Sequence, residues 1–438
     1  MEPEQVAAPM TGGARGPTES KPDVLWIVTT QWRAQAAGYA GDPNARTPFL
    51  DALAAESLNF TQAVTPHPFG PFARAALLTG VRSPENGVRD YFDPLPNDAR
   101  TIAHEMAARG YETAFFGKWH LGKRDRAAAL VGDVHARTIV PVEERGGFAF
   151  WEGFESGFLL NDPWLHGSRL AEPTRFSGYQ SEVVCARARG WLRQQTTNAK
   201  SQTPKTKEKK PWFCVVSLEP PHPPYGAQAG EVRPVAPEEI ILAANVPRGG
   251  DVEARARREL AGYYAHIQAT DAAIGRLVAA LKEGGKASPL ILFTSAHGDM
   301  HGAHGLFRKG WPQEESVRVP LLIHLPEGAG EKRVAGQRRD ACVSLVDLRG
   351  LTTRFVDTGI LDTGDGRAAA ISMPSVVALP DQCDRVWRGV RTAKRKLVLN
   401  GDGTPWLFFD LENDSEERRN LVGERAWRDE IVAMSQGI

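Results

Sequence analysis

The stretch Pro66-His67-Pro68-Phe69-Gly70-Pro71-Phe72-Ala73-Arg74-Ala75-Ala76-Leu77-Leu78-Thr79-Gly80 changes character at its middle. Its first half is a proline-rich loop, and its second half is an Ala/Leu run with strong helix preference. A loop that empties into a helix N-terminus turns free backbone N–H groups outward, where they favour an anion. Arg74, expected in the first turn, adds a fixed positive charge. The stretch reads as a loop–helix junction built to face an anion.

Working outward, short apolar runs alternate with amphipathic segments. Asp23 to Val28, Thr113 to Phe116, Trp212 to Leu218, Pro289 to Thr294 and Pro320 to Leu325 read as buried strands. Asn44 to Phe60, Thr101 to Arg109 (with Gly110 as its stop), Gln180 to Gln195 and Glu253 to Glu283 read as helices, the last ended by Gly284-Gly285. Lys123 to Tyr179 shows no clean period and is expected to form long loops beside the site. This alternation predicts an α/β fold with a mostly parallel central sheet flanked by helices. After about residue 375 the pattern becomes short strands (386–390, 396–399, 406–410) and a final helix (427–435), a small C-terminal α+β subdomain. The expected divisions are a disordered segment 1–21, a main domain 22–375 with a polar insert at 196–210, and a subdomain 376–438.

Composition narrows the class. The 438 residues are 42% hydrophobic and 24% charged with zero net formal charge, so nothing in the balance points to nucleic acid or an anionic membrane. The basic insert lacks interleaved aromatics and reads as a solvated loop. No apolar run approaches the roughly 20 residues that span a bilayer. Four scattered cysteines make no disulfide framework, and Cys214, inside an apolar run, reads as a small buried residue. The first 20 residues lack a signal-peptide pattern, so the expected location is cytoplasmic, or exported if the start is misassigned.

Several blocks occur in one order: T-P-F-L-D-A-L-A-A-E-S-L-N-F, A-R-A-A-L-L-T-G, Y-E-T-A-F-F-G-K-W-H-L-G, H-G-D-M-H-G-A-H-G-L, E-E-S-V-R-V-P and F-F-D-L-E-N-D. Together they resemble the type I sulfatases from about Pro22 to the C-terminus. The resemblance implies an alkaline-phosphatase-like core and a small anionic ligand such as a sulfate or phosphate ester. In that family a Cys or Ser of C/S-x-P-x-R becomes formylglycine, whose hydrate attacks sulfur. A calcium ion held by carboxylates activates the hydrate and neutralises sulfate oxygens.

By that resemblance, Arg74, Lys118, His120, His222 and Lys309 match sulfate-gripping and leaving-group positions, with His120 and His222 the catalytic imidazoles. The nucleophile position is Gly70, which has no side chain to oxidise, and Phe72 stands where the modification motif needs Pro. At the metal shell, Thr30 and Ala296 replace two Asp residues, and only His297 remains. The expectation is a pseudosulfatase that keeps an anion pocket, has lost the calcium site and uses no cofactor. Its cations are expected to lack counter-charges, and homo- or hetero-oligomers, including pairing with an active relative, stay open. The alternative is an active sulfuric or phosphoric ester hydrolase with another nucleophile or a relocated metal. For the latter, His297, Asp299, His301 and His304 form an H-x-D-x-H-x-x-H set with zinc-type donors.

Overall fold

A computed structural model describes residues 21–197, 210–282, 288–327, 336–364, 366 and 368–438. The expected disordered N-terminus, most of the polar insert and the Gly284-Gly285 stop lie outside the described residues.

Ten strands form the main sheet: β1 (Val24–Thr29), β2 (Leu58–Val64), β3 (Glu112–Lys118), β4 (Phe150–Phe154), β5 (Trp164–Gly167), β6 (Leu170–Arg175), β7 (Trp212–Ser217), β8 (Leu290–Ser295), β9 (Leu321–His324) and β10 (Arg338–Ser344). Their order is β10-β2-β9-β8-β1-β7-β3-β4-β5-β6. The centre, β8-β1-β7-β3-β4, is parallel throughout, whereas β9, β5 and β6 pair antiparallel.

Alternation along β1 explains the layers. Val24, Trp26 and Val28 point to one core, shared with Phe72, Ala75 and Leu78 of helix Gly70–Thr79. Leu25 and Ile27 point to the other, which helices Gln180–Thr197 and Gly250–Lys282 cover. A strand buried on both faces reads as a near-continuous apolar run, and the first five residues of β1 are apolar with all six buried. The longest helix buries one stripe, Leu260, Tyr264, Ile267, Ile274 and Leu277, with Leu281 partly buried at its end.

Two readings need correction. The helix expected over 44–60 is shorter, Pro48–Ala55, and Leu58 begins β2. Ser57 marks the break, its hydroxyl donating to the Leu53 carbonyl at 2.6 Å. The stretch 123–179 is not all loop, because β4, β5 and β6 extend the sheet there.

The C-terminal sheet comprises β11 (Ala368–Met373), β12 (Trp387–Thr392), β13 (Arg395–Asn400) and β14 (Pro405–Asp410), antiparallel in that order, followed by helix Arg428–Ser435. It begins before residue 376, because β11 belongs to it. All four cysteines are free and buried. Among the described residues, no helix is long and apolar enough to cross a membrane.

Candidate anion site at the C-terminal edge of the sheet

Parallel strands of an open α/β sheet deliver their loops to one edge, where such folds place ligands. Here β1 delivers Thr30 and Gln31, β8 delivers Ala296 and His297, β3 delivers Lys118 and His120, and β7 delivers Glu219 and His222. Strand register fixes their adjacency. Ala296 N donates to Thr29 O at 2.9 Å, and Leu218 N donates to Val28 O at 2.7 Å. Gly117 lets β3 approach β7 just before Lys118. Its φ is +94°, and a Cβ there would lie 2.0 Å from the Ser217 carbonyl oxygen.

Helix Gly70–Thr79 aims its N-terminus at this edge. Phe69 is the N-cap in extended conformation, and Pro71 sits in the first turn, where its missing N–H costs nothing. A Cβ on Gly70 would lie 2.8 Å from His120 Nδ1 and 3.6 Å from Arg74 Nη1. Arg74 Nη2 donates to Thr30 Oγ1 at 2.7 Å, and that hydroxyl donates to Leu218 O at 2.9 Å. Arg74 Nε and Nη1, both ring nitrogens of His120, and His297 Nε2 are buried without a hydrogen-bond partner.

The opposite side is densely paired. Lys118 Nζ meets Glu219 Oε1 at 2.6 Å, both side chains essentially fully buried. Lys309 Nζ donates to Gln31 Oε1 at 2.7 Å and to His222 Nε2 at 3.4 Å. His222 spends its Nδ1 proton on the Pro223 carbonyl at 2.7 Å, which leaves Nε2 free to accept from Lys309. Gln31 and Tyr225 both donate to Asp299, the tyrosine at 2.6 Å. Phe158 joins the two sides, stacking on His222 at 4.5 Å, lying 4.8 Å from Lys118 Nζ and meeting His120 edge-on at 6.1 Å.

All five expected gripping residues are therefore gathered at this edge, each at most 7% exposed. Gln31, His120 and Phe158 hold φ of +64°, +58° and +52°, left-handed conformations that cost a non-glycine residue about 1–3 kcal/mol.

Burial shapes the charges. It pulls Lys118 down to about 8, with Glu219 opposing and Arg74 assisting. It pulls Lys309 down to about 7 against the field of Asp299. His120, His222 and His297 are held well below their ordinary value by burial and the surrounding cations. Burial opposes charge on Asp299, but His301, Arg308, Tyr225 and Lys309 more than offset it and hold the carboxylate at about 2.

Two sequence expectations change here. Lys118 and Lys309 do not lack counter-charges, because Glu219 pairs with the first and the field of Asp299 reaches the second. The H-x-D-x-H-x-x-H set does not act as one cluster. Asp299 serves Gln31 and Tyr225, while His301 packs between the rings of Tyr225 and Tyr263. His304 gathers instead with Glu315 and Glu417, where Lys396 meets Glu417 at 2.5 Å. Sequence reading passed over Glu219, Gln31 and Phe158; Glu219, three residues before His222, carried the one usable signal.

Comparison with known proteins shows the family and the fold. The Sulfatase family model matches residues 22–349. The chain is 33% identical over 427 residues to the ulvan-active sulfatase of Formosa agariphila, covering 92% of this chain and 78% of that protein. It is 26% identical over 470 residues to the arylsulfatase of Clostridium perfringens, covering 94% and 92%. Among solved structures, yidJ from Bacteroides fragilis shares the fold with a TM-score of 0.79 at 22% identity, covering 97% of this chain and 96% of that chain. With the family model spanning the whole main sheet, the chain belongs to the sulfatase family.

Proposed function

We propose that this protein binds a small sulfate- or phosphate-type anion and does not run the formylglycine–calcium reaction of its family. One observation carries the reading. Arg74 leans on Thr30, beside Gly70, where the family resemblance puts carboxylate, metal and nucleophile, while Lys118, His120, His222 and Lys309 still surround the spot.

The donor set does not suit a hard dication. Calcium takes six to eight oxygen ligands, with carboxylates foremost. Thr30 offers one hydroxyl, already engaged twice, and Ala296 and Gly70 offer no side-chain oxygen. His297 keeps one free nitrogen, a poor ligand for calcium. An anionic oxygen above Gly70 would instead satisfy donors of Arg74 and His120 that now lack partners. Lys118 and Lys309 would flank it.

A hydrolytic reading draws on the same orphaned atoms. A water above Gly70 could give its proton to His120, which is held neutral and keeps both ring nitrogens unengaged.

The test is metal content by mass spectrometry together with binding and turnover of aryl sulfate and aryl phosphate, beside a Lys118→Ala/His222→Ala variant. Ester binding without turnover, abolished in the variant, is the expected result. Turnover that the variant loses overturns the binding-only reading in favour of hydrolysis.

A further inference from the structure

Resting on the anion-pocket reading, we propose that Glu219 is a built-in counter-anion that limits the pocket to singly charged ligands, admitting a sulfate monoester and rejecting a phosphate monoester of the same shape.

The charges at the site support one vacancy for negative charge. Lys118 is matched by Glu219 at 2.6 Å. Lys309 lies in the field of Asp299, which Gln31 and Tyr225 fix in place. Arg124 is matched by Glu155 at 3.0 Å, and Arg308 by Glu259 at 2.6 Å. Arg74 remains. Among the described residues it makes no ion pair, its one side-chain partner is the neutral Thr30 hydroxyl, and two of its nitrogens are buried and unsatisfied beside Gly70. The three imidazoles nearby, His120, His222 and His297, are held neutral and add donors or acceptors without charge.

Glu219 stands on the far side of that vacancy. Its carboxylate lies 3.7 Å from His222 Nδ1, and its field, with that of Glu155, reaches Arg74. Its second oxygen, Oε2, is buried and accepts no hydrogen bond. An approaching anion therefore meets attraction from Arg74 and a Lys118 whose charge Glu219 already answers. A first negative charge on the ligand answers Arg74. A second has no unmatched cation to answer, because Glu219 already neutralises Lys118. At neutral pH an aryl sulfate carries one charge, whereas an aryl phosphate carries close to two. A Lys118 freed of Glu219, one unit charge about 6 Å from the ligand's second charge at an effective dielectric near 20, would shift the preference by roughly 100-fold.

The test is the ratio of phenyl sulfate to phenyl phosphate affinity at pH 7, by calorimetry, in four proteins. Wild type should favour phenyl sulfate. Glu219→Gln should shift the ratio toward phenyl phosphate by about 10- to 100-fold. The double variant Lys118→Gln/Glu219→Gln removes both charges and should return the ratio to within about threefold of wild type. Should the single Glu219 variant fail to fold, Lys118→Gln serves in its place. It leaves Glu219 uncompensated and should push the ratio further toward phenyl sulfate. A ratio unmoved in every folded variant, with both esters still bound, overturns the role of Glu219 alone. Wild type that binds neither ester overturns the anion pocket and, with it, this assignment.

Discussion

The two sides of the site are built on opposite principles. Around Lys118, Lys309, Gln31, Glu219, Asp299 and His222, charge and hydrogen bonds are matched within the protein to all but a single carboxylate oxygen. Around Gly70, Arg74, His120 and His297, five buried nitrogens have no partner. Buried polar groups are rarely left unmatched, because each costs about 1–3 kcal/mol. The matched side is stable by itself. The unmatched side is stable only in proportion to what it binds, and that difference separates scaffold from ligand position.

The largest expected effect tests this directly. Lys118→Met leaves Glu219 charged and alone at full burial, and breaking such a pair costs about 3–5 kcal/mol. Arg74→Met removes a buried cation that pairs with no carboxylate and should move ligand-free stability by no more than about 1 kcal/mol. Urea denaturation of both variants measures the contrast, and equal losses would erase the distinction between the two sides. Next in size is Gly70→Ala. Its Cβ would sit 2.8 Å from His120 Nδ1, forcing the ring aside at about 1–3 kcal/mol and filling the space assigned to the anion. Undiminished ester affinity in Gly70→Ala would move the anion elsewhere.

The pH response follows from Lys309, held at about 7, and Lys118, held at about 8, against 10.5 for a free lysine. Between pH 7 and 10.5 these two lysines bind more protons in the unfolded chain than in the folded one. Their contribution to ligand-free stability, read as the difference between wild type and Lys309→Met, should therefore rise with pH across that window, with the full penalty present below it. Anion binding should run the other way, because it needs the charged lysines. Affinity should fall by about tenfold per pH unit for each lysine that has lost its proton. Calorimetry at pH 6, 7.5 and 9 separates the two slopes. An affinity flat over this range would remove both lysines from the ligand's reach.

How much of this was readable beforehand depends on where each signal lies. The runs that became β1, β7 and β8 were legible because a strand buried on both faces is a near-continuous apolar run, and each is buried throughout with polar residues only at its C-terminal end. β6 was not, because only Leu170 and Pro173 are partly covered and the other residues of the strand are exposed, which leaves no period of two. β2 hid behind a helix because Leu50, Leu53, Ala54 and Leu58 keep helical spacing straight across the true boundary. Within the site, Arg74, Lys118 and His120 stood out by their blocks, and His222 and Lys309 by the family positions they match. The partners did not, because Lys118 and Glu219 are 101 positions apart, and Lys309 and Gln31 are 278 apart. Only the alignment of β1, β7 and β3 brings those carboxylates and amides to the cations, and no local pattern encodes it.

The smallest effect bears most closely on the unmatched side. Thr30 supplies the one side-chain oxygen that Arg74 now holds, at 2.7 Å, and passes its own proton to Leu218 O. Thr30→Val keeps the shape of the side chain and removes both bonds, a cost of about 0.5–1.5 kcal/mol in the free protein. If Arg74 is the anion's grip, a bound aryl sulfate supplies guanidinium with a stronger, charged partner, and much of that deficit should vanish at saturating ligand. Melting temperatures of wild type and Thr30→Val, with and without phenyl sulfate, measure it. A gap that closes on binding assigns Arg74 to the ligand. A gap that stays the same shows that the guanidinium belongs to the scaffold, its contact with Thr30 replacing a lost structural carboxylate, and the unmatched side of the site then shrinks to His120 and His297.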